Sequence, residues 1–254
     1  LHRNVSRWLY LDEKNLAVLE SIGLEEIQSK QTFNALPECN SPRRCRVALR
    51  CELDLPQDAF ALVIASRAIV EKGWEIAIDA VRKARGESGR DIVIVLIGTG
   101  PEADRLAPII QAEPWVYHLG FIENPRHILH AFDLGVLPST FAGESFPLFL
   151  LECFDSGLPV LATDIGAIPK MIAAGGGDDG QLISYRLQPA EMSDAICCRL
   201  VALLTDDARL EAARISSAIA ARAFTMDRLI DAYEDTFRDA SGRISTSLDL
   251  KLEG

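Results

Sequence analysis

Glu144 and Glu152 lie eight positions apart in the stretch from Phe141 to Glu152, where a glycine-bearing loop runs into an apolar segment. Pro147 fits the first turn of a helix, a position whose amide has no acceptor within the helix. Glu144 therefore belongs to the loop and Glu152 to the helix. At about 1.5 Å of rise per residue the two carboxylates stand ~12 Å apart along the axis. That separation is too wide for an acid and a base flanking one bond. It suits two anchors at opposite ends of an extended ligand, with the free amides of the helix N-terminus between them. Glu152 sits among Phe149, Leu150, Leu151 and Phe154, so a hydroxyl-rich ligand or a basic residue must satisfy it.

Arg67 and Lys72 form a second candidate, in Ala65-Ser-Arg-Ala-Ile-Val-Glu-Lys-Gly73, where a strand ends and a helix begins. Open α/β sheets bind ligands at such carboxyl-terminal strand ends, and a helix start with two added cations suits a diphosphate. Surface cations beside a helix start fit the same letters. Gly98-Thr-Gly-Pro-Glu-Ala103 also follows a strand and opens a helix, as the dinucleotide fingerprint does. That fingerprint belongs on the first strand of its unit, and here an earlier βα unit precedes it, so a tight βα turn accounts for the glycines better than an NAD(P) site. His127 and His130 have no third ligand in view and are read as surface histidines. The six cysteines include no CxxC; Cys39, Cys45, Cys51, Cys153, Cys197 and Cys198 are read as reduced thiols.

The elements that position these residues alternate from about residue 60. Strands are predicted at 61–65, 91–97, 116–119, 134–137 and 159–162. Helices are predicted at 74–82, from 102, at 126–132 and at 146–154. The alternation of apolar runs with helical periodicity is that of a doubly wound parallel sheet. Helices then dominate to about residue 240. The last carries Met226, Leu229, Ile230, Tyr233 and Phe237 as an amphipathic stripe whose plain reading is core packing. Residues 8–11 and 13–22 read as a leading strand and helix. Arg43, Arg44, Arg46 and Arg50 mark a polar connector, solvated or touching an anion, and the chain from Ser241 reads as a polar, frayed tail.

With 254 residues, 48% hydrophobic and 25% charged, the composition is globular and excludes disordered or collagen-like architectures. The net charge of -11 and pI near 4.9 argue against nucleic acid as a partner. No apolar run reaches membrane-spanning length and the start lacks a secretory core, so the chain is expected to be cytoplasmic, with peripheral contact at the cytoplasmic face of a membrane left open. It opens on Leu1 rather than Met, which suggests a piece of a longer polypeptide.

From about Lys30 to Phe237 the chain resembles the nucleotide-sugar-binding, carboxyl-terminal half of retaining GT-B glycosyltransferases, the group 1 family. The marks are Asn34-Ala-Leu36, Arg67-x4-Lys72-Gly73, Gly98-x-Gly100-Pro, Leu119-Gly-Phe121, Leu137-Pro-Ser139, Glu144-x7-Glu152, and the run from Ser156 through Asp164 and Gly166 to Pro169. The resemblance implies a Rossmann-like α/β domain, one half of a GT-B fold. It implies that Arg67 and Lys72 neutralise the donor diphosphate. Gly143, Ser145, Phe146, Pro147 and Leu148 form the loop whose amides meet phosphates and sugar, and Glu144 faces the transferred sugar. Glu152 accepts from the ribose hydroxyls, and Gly120 and Phe121 hold the base. It further implies that no metal or other cofactor is needed, because fixed cations and helix dipoles stabilise the departing diphosphate.

Three regions follow: residues 1–55 as the end of an amino-terminal lobe and connector, 56–240 as the donor-binding domain, and 241–254 as a tail. The acceptor, a glycan or glycolipid of polysaccharide or glycoconjugate synthesis, would be held by the lobe this chain lacks, so the chain is expected to bind donor and transfer nothing unaided. Ser66 replaces the usual glycine before the arginine and would either narrow the approach of phosphate or donate a hydrogen bond to it. Ala35 and Ala167 replace glycines, and Lys170 a glutamate. The competing readings are a non-catalytic nucleotide-sugar-binding or interaction module, and a GT-B-like epimerase or phosphorylase, whose extra acids, histidines or pyridoxal-bearing lysine region are not evident.

Overall fold

The computed structural model describes residues 5, 7–23, 29–38, 44–177 and 179–252. By contacts the chain divides into two units, Leu1–Glu38 with Phe224–Gly254, and Cys39–Ala223. The larger is built on six parallel strands: β3 (Phe60–Ala65), β4 (Ile92–Ile97), β5 (Val116–His118), β6 (Leu134–Leu137), β7 (Val160–Thr163) and β8 (Leu182–Ile183). Their order is β5-β4-β3-β6-β7-β8. The chain therefore winds outward from β3 in one direction, then returns to β3 and winds outward in the other. All six residues of β4 are buried, as its unbroken apolar run requires of a strand covered on both faces.

The helices of this unit are α2 (Arg46–Glu52), α3 (Trp74–Ser88), α4 (Pro101–Ala112), α5 (Leu148–Asp155), α6 (Ile168–Ala173), α7 (Pro189–Thr205) and α8 (Asp207–Ala221). α3 packs against α7, and α5 against α8. The sheet is the doubly wound parallel one expected.

Several local expectations are corrected. Residues 126–132 form two short 3-10 turns, Pro125–His127 and Leu129–Ala131, rather than a helix. Pro147 caps α5 from outside instead of occupying its first turn. The arginine-bearing connector is the helix α2, and Arg50 is 1% exposed. Its Nη1 donates to the carbonyls of Pro56, Gln57 and Ala59, its Nε to that of Ala131 at 2.8 Å, and its Nη2 to Asp133 at 2.8 Å. Arg46 and the amide of Ala61 also reach Asp133, at 2.7 and 2.9 Å. The anion these arginines meet is thus an internal carboxylate that ties α2 to the starts of β3 and β6. Arg44 instead pairs with Glu52 at the surface, and Arg43 and Cys39 lie outside the described residues. Cys153 and Cys197 are buried, Cys45, Cys51 and Cys198 exposed, and all five are free thiols. Burial pushes the Cys153 thiol well up and that of Cys197 to about 11, which keeps both protonated and inert.

The smaller unit pairs β1 (Trp8–Tyr10) with β2 (Ser29–Gln31) in parallel across α1 (Glu13–Ser21), whose N-cap is Asp12. Its last helix, α9, runs from Met226 to Leu252, past the point where a polar tail was expected. The α9 stripe is not core: Ile230, Tyr233 and Phe237 are exposed, Phe237 at 66%.

Candidate functional site

Between β3 and β6 the winding direction of the sheet reverses, and it is beside such a point, at the carboxyl ends of the strands, that open α/β sheets have their ligand crevice. The loop after β3 carries Ser66, Arg67 and Lys72, and the loop after β6 carries Phe141 to Pro147. The two loops touch through backbone. Gly73, in the left-handed region at φ 70°, leaves room that a side chain would not: a Cβ there would lie 2.4 Å from the Pro138 carbonyl oxygen. The Thr140 amide donates to the Glu71 carbonyl at 2.8 Å.

This contact brings the sequence-predicted charges together. Lys72 Nζ donates to Glu144 Oε2, and the two residues are only 8% and 7% exposed. The Arg67 guanidinium and the Lys72 ammonium each lie 5.1 Å from the centre of the Phe141 ring. One aromatic ring thus lies within cation–π distance of both cations. Phe141 was not singled out in the sequence, where the only signal was an aromatic residue just ahead of the glycine-bearing turn. Gly143 lies against the same ring, where a Cβ would fall 2.4 Å from it.

The loop ahead of α5 is fixed from the other side by the segment after β7. The Ala167 amide donates to the Ser145 carbonyl at 2.8 Å, and Gly166, at φ 62°, packs so closely that a Cβ would lie 2.5 Å from the Glu144 carbonyl oxygen. Phe146 and Pro147 are buried beneath the loop, while Leu148 is 52% exposed at the start of α5. The first amides of α5 have no acceptor in the helix, so the loop presents donors and a positive dipole end at the crevice.

Ser66 has partners within the chain. Its Oγ accepts from Trp74 Nε1 at 3.0 Å and donates to the Arg67 carbonyl at 3.3 Å, bracing the start of α3. Gly120, at φ 68°, accepts the Gly98 amide at 2.7 Å, which anchors the turn after β4 to the one after β5. His118 strengthens that anchor, donating from Nε2 to the Gly98 carbonyl at 2.9 Å while stacking edge-on with Trp74. Phe121 is 73% exposed beside them. No hydrogen bond or ion pair among the described residues joins Gly120, Phe121 or Glu152 to the Lys72–Glu144 pair.

Glu152 lies one turn into α5, partly buried between apolar neighbours, and its carboxylate accepts no hydrogen bond from a described residue. Burial raises its carboxyl to about 7, and the charge of Arg126 only partly offsets this. Arg126 is itself bonded to Asp155 at 2.7 Å. His127 meets Asn124 at 3.0 Å, and no group of three or more metal-ligating side chains occurs among the described residues. Among the described residues no helix is long and apolar enough to cross a membrane.

Known proteins resemble this chain in sequence and fold. An exopolysaccharide phosphotransferase of Streptomyces coelicolor aligns at 26% identity over 88% of this chain and 22% of its own length. D-inositol 3-phosphate glycosyltransferase 1 of Catenulispora acidiphila aligns at 29% identity over 76% of this chain and 48% of its own. The chain thus spans less than half the length of these curated relatives. Among solved structures, HepE of Anabaena in complex with UDP-glucose superposes with a TM-score of 0.72 at 21% identity, covering 94% of this chain and 65% of that one. The pneumococcal O-GlcNAc transferase GtfA, in complex with UDP and GlcNAc, gives 0.68 at 23% identity, covering 92% and 45%. The sheet is therefore the Rossmann-like half of a GT-B fold. The family model for glycosyl transferases group 1 matches residues 59–204, more than half of the chain and the whole of the crevice, and the chain belongs to that family.

Proposed function

We propose that this chain is the donor-binding domain of a retaining, metal-independent glycosyltransferase, and that its crevice holds a nucleoside-diphosphate sugar. The observation that carries the reading is the meeting of Lys72 with Glu144 beside Arg67, at the reversal point of the sheet. Arg67, Lys72 and the α5 amides take the diphosphate and stabilise its charge as it departs. Glu144, released from Lys72 when phosphate arrives, faces the sugar. Glu152 takes the ribose hydroxyls, whose donation satisfies a carboxylate left without a donor in its apolar surroundings. Gly120 and Phe121 hold the base. The UDP and UDP-glucose seen in the structurally similar proteins are of this ligand class.

The acceptor, a glycan or glycolipid, is held by a second lobe that excludes water and sets the attacking hydroxyl on the face the diphosphate leaves. The domain alone binds donor without transferring it. Calorimetric titration of this chain with UDP-, GDP- and ADP-sugars, with and without EDTA, tests the reading. Saturable binding of one donor, unchanged by EDTA and lost in Lys72→Ala, is the expected result. Absence of binding by every donor at millimolar concentration from folded protein overturns the site, and loss on chelation overturns the metal-free part.

A further inference from the structure

The turns that follow β3 and β4 meet β5 around one buried ring. Trp74, at the start of α3, is 1% exposed. Its Nε1 donates to Ser66 Oγ, after β3, at 3.0 Å, and its ring packs edge to face with that of His118, at the end of β5, with centroids 5.5 Å apart. A Cβ on Gly98, after β4, would lie 3.6 Å from Trp74 Cζ2 and 1.9 Å from the Ser66 carbonyl oxygen, so these turns pack backbone against backbone beside the indole.

Gly98 gives both its polar groups to β5 and the turn beyond it. Its amide donates to the Gly120 carbonyl at 2.7 Å, and its carbonyl accepts from His118 Nε2 at 2.9 Å. A carbonyl oxygen only accepts, so Nε2 carries a proton and His118 is the donor whether neutral or charged. Gly120 holds φ at 68° although a Cβ there would meet nothing within 4 Å, so the glycine serves the backbone conformation of the turn and not its clearance. Past this double tie the backbone is open. The Gly120 amide and the amide and carbonyl of Phe121 make no hydrogen bond with a described residue, and Phe121 is 73% exposed.

With the crevice read as a nucleoside-diphosphate-sugar site, on which this step rests, we infer that His118 is a positioning residue that sets which nucleobase is accepted, by holding the Gly120–Phe121 turn through Gly98. Open amide and carbonyl groups discriminate between base edges only while they are fixed, because a mobile turn re-aims them at any edge. Without the His118 proton the Gly98 carbonyl loses its donor, and the turn keeps one tie of two. Trp74 keeps the imidazole in place and is itself fixed by Ser66, so the imidazole is braced from the loop that carries Arg67 and Lys72. Those cations meet phosphates common to every nucleotide, so the contribution of His118 falls on base preference rather than on diphosphate affinity.

Calorimetric titration of the chain with UDP, GDP and ADP tests this role. Wild type is expected to favour one of the three by about tenfold or more. His118→Phe keeps a ring against Trp74 and removes the donor. It is expected to weaken the favoured nucleotide by about fivefold or more and to leave the other two within about twofold. His118→Leu, which also lacks the donor, is expected to behave alike, and His118→Gln, whose side-chain amide can donate to the Gly98 carbonyl, to restore the preference. An equal loss for all three nucleotides shows a merely structural role and overturns the assignment, as does an unchanged preference in the donor-less variants or a preference in His118→Gln as flat as in His118→Phe. Three equal affinities in wild type overturn it while leaving the donor site standing. No binding of any nucleotide at millimolar concentration overturns the donor site and the role of His118 together.

Discussion

Lys72 and Glu144, 72 positions apart, form a buried ion pair at the point where the sheet reverses its winding. Each is the other's partner before any ligand arrives. Removing one leaves a desolvated charge, so Lys72→Ala or Glu144→Ala is expected to lose about 3 kcal/mol in urea unfolding, whereas Lys72→Met/Glu144→Leu together recovers most of it. Additive losses in the double variant would show that the pair is not coupled.

Glu152 makes stability and donor binding depend on pH in opposite directions. Burial raises its carboxyl from 4.5 to about 7, so between those values the folded state holds a proton that the unfolded chain has released. Stability from this group is present below pH 4.5 and is lost as pH rises to about 7. Glu152→Gln is therefore expected to be more stable than wild type at pH 8, by roughly 2 kcal/mol after allowing for its partial exposure, and equal to it near pH 4.

Donor hydroxyls favour the carboxylate of Glu152, so wild-type donor affinity is expected to fall by up to about tenfold per pH unit below 7. In Glu152→Gln the affinity is weaker and that slope is gone. Calorimetry from pH 5.5 to 8 reads both, and a slope that survives the substitution assigns the titration to another group.

Phe141 is expected to position both crevice cations. Phe141→Ala should weaken donor binding by about tenfold, from two cation–π contacts of the order of 0.5–1 kcal/mol each, and Phe141→Tyr should restore it. Since Phe141 is partly exposed, thermal unfolding should move little. Donor affinity equal to wild type in Phe141→Ala removes the ring from the site.

Arg50 and Asp133 bear on the fold alone. Asp133→Ala leaves the Arg50 guanidinium buried without its carboxylate, and Arg50→Met leaves four carbonyls without their donor. Each is expected to destabilise by about 3–5 kcal/mol in denaturant unfolding, with donor affinity of the remaining folded protein unchanged.

The strands were legible because burial on both faces demands continuous apolar runs. Ile92–Ile97 and Leu134–Leu137 show this most clearly, each within a residue of its predicted bounds. The two-residue β8 was not, since a strand that short carries no periodicity. Residues 126–132 have helical letters but form the 3-10 turns Pro125–His127 and Leu129–Ala131. The α9 stripe, Ile230 to Phe237, has the spacing of a core face without being one, because periodicity marks a face and does not say what covers it.

By itself the sequence determined the winding of the sheet, the placing of Arg67 and Lys72 after one strand, and Glu144 and Glu152 around one helix start. Those follow from local rules of period and turn chemistry. Only the tertiary structure decided that Lys72 spends its charge on Glu144, that Phe141 spans both cations, that Ser66 braces Trp74, and that Arg50 is interior. Partners of polar groups are chosen by three-dimensional proximity and desolvation, and neither is written in the spacing of residues along the chain.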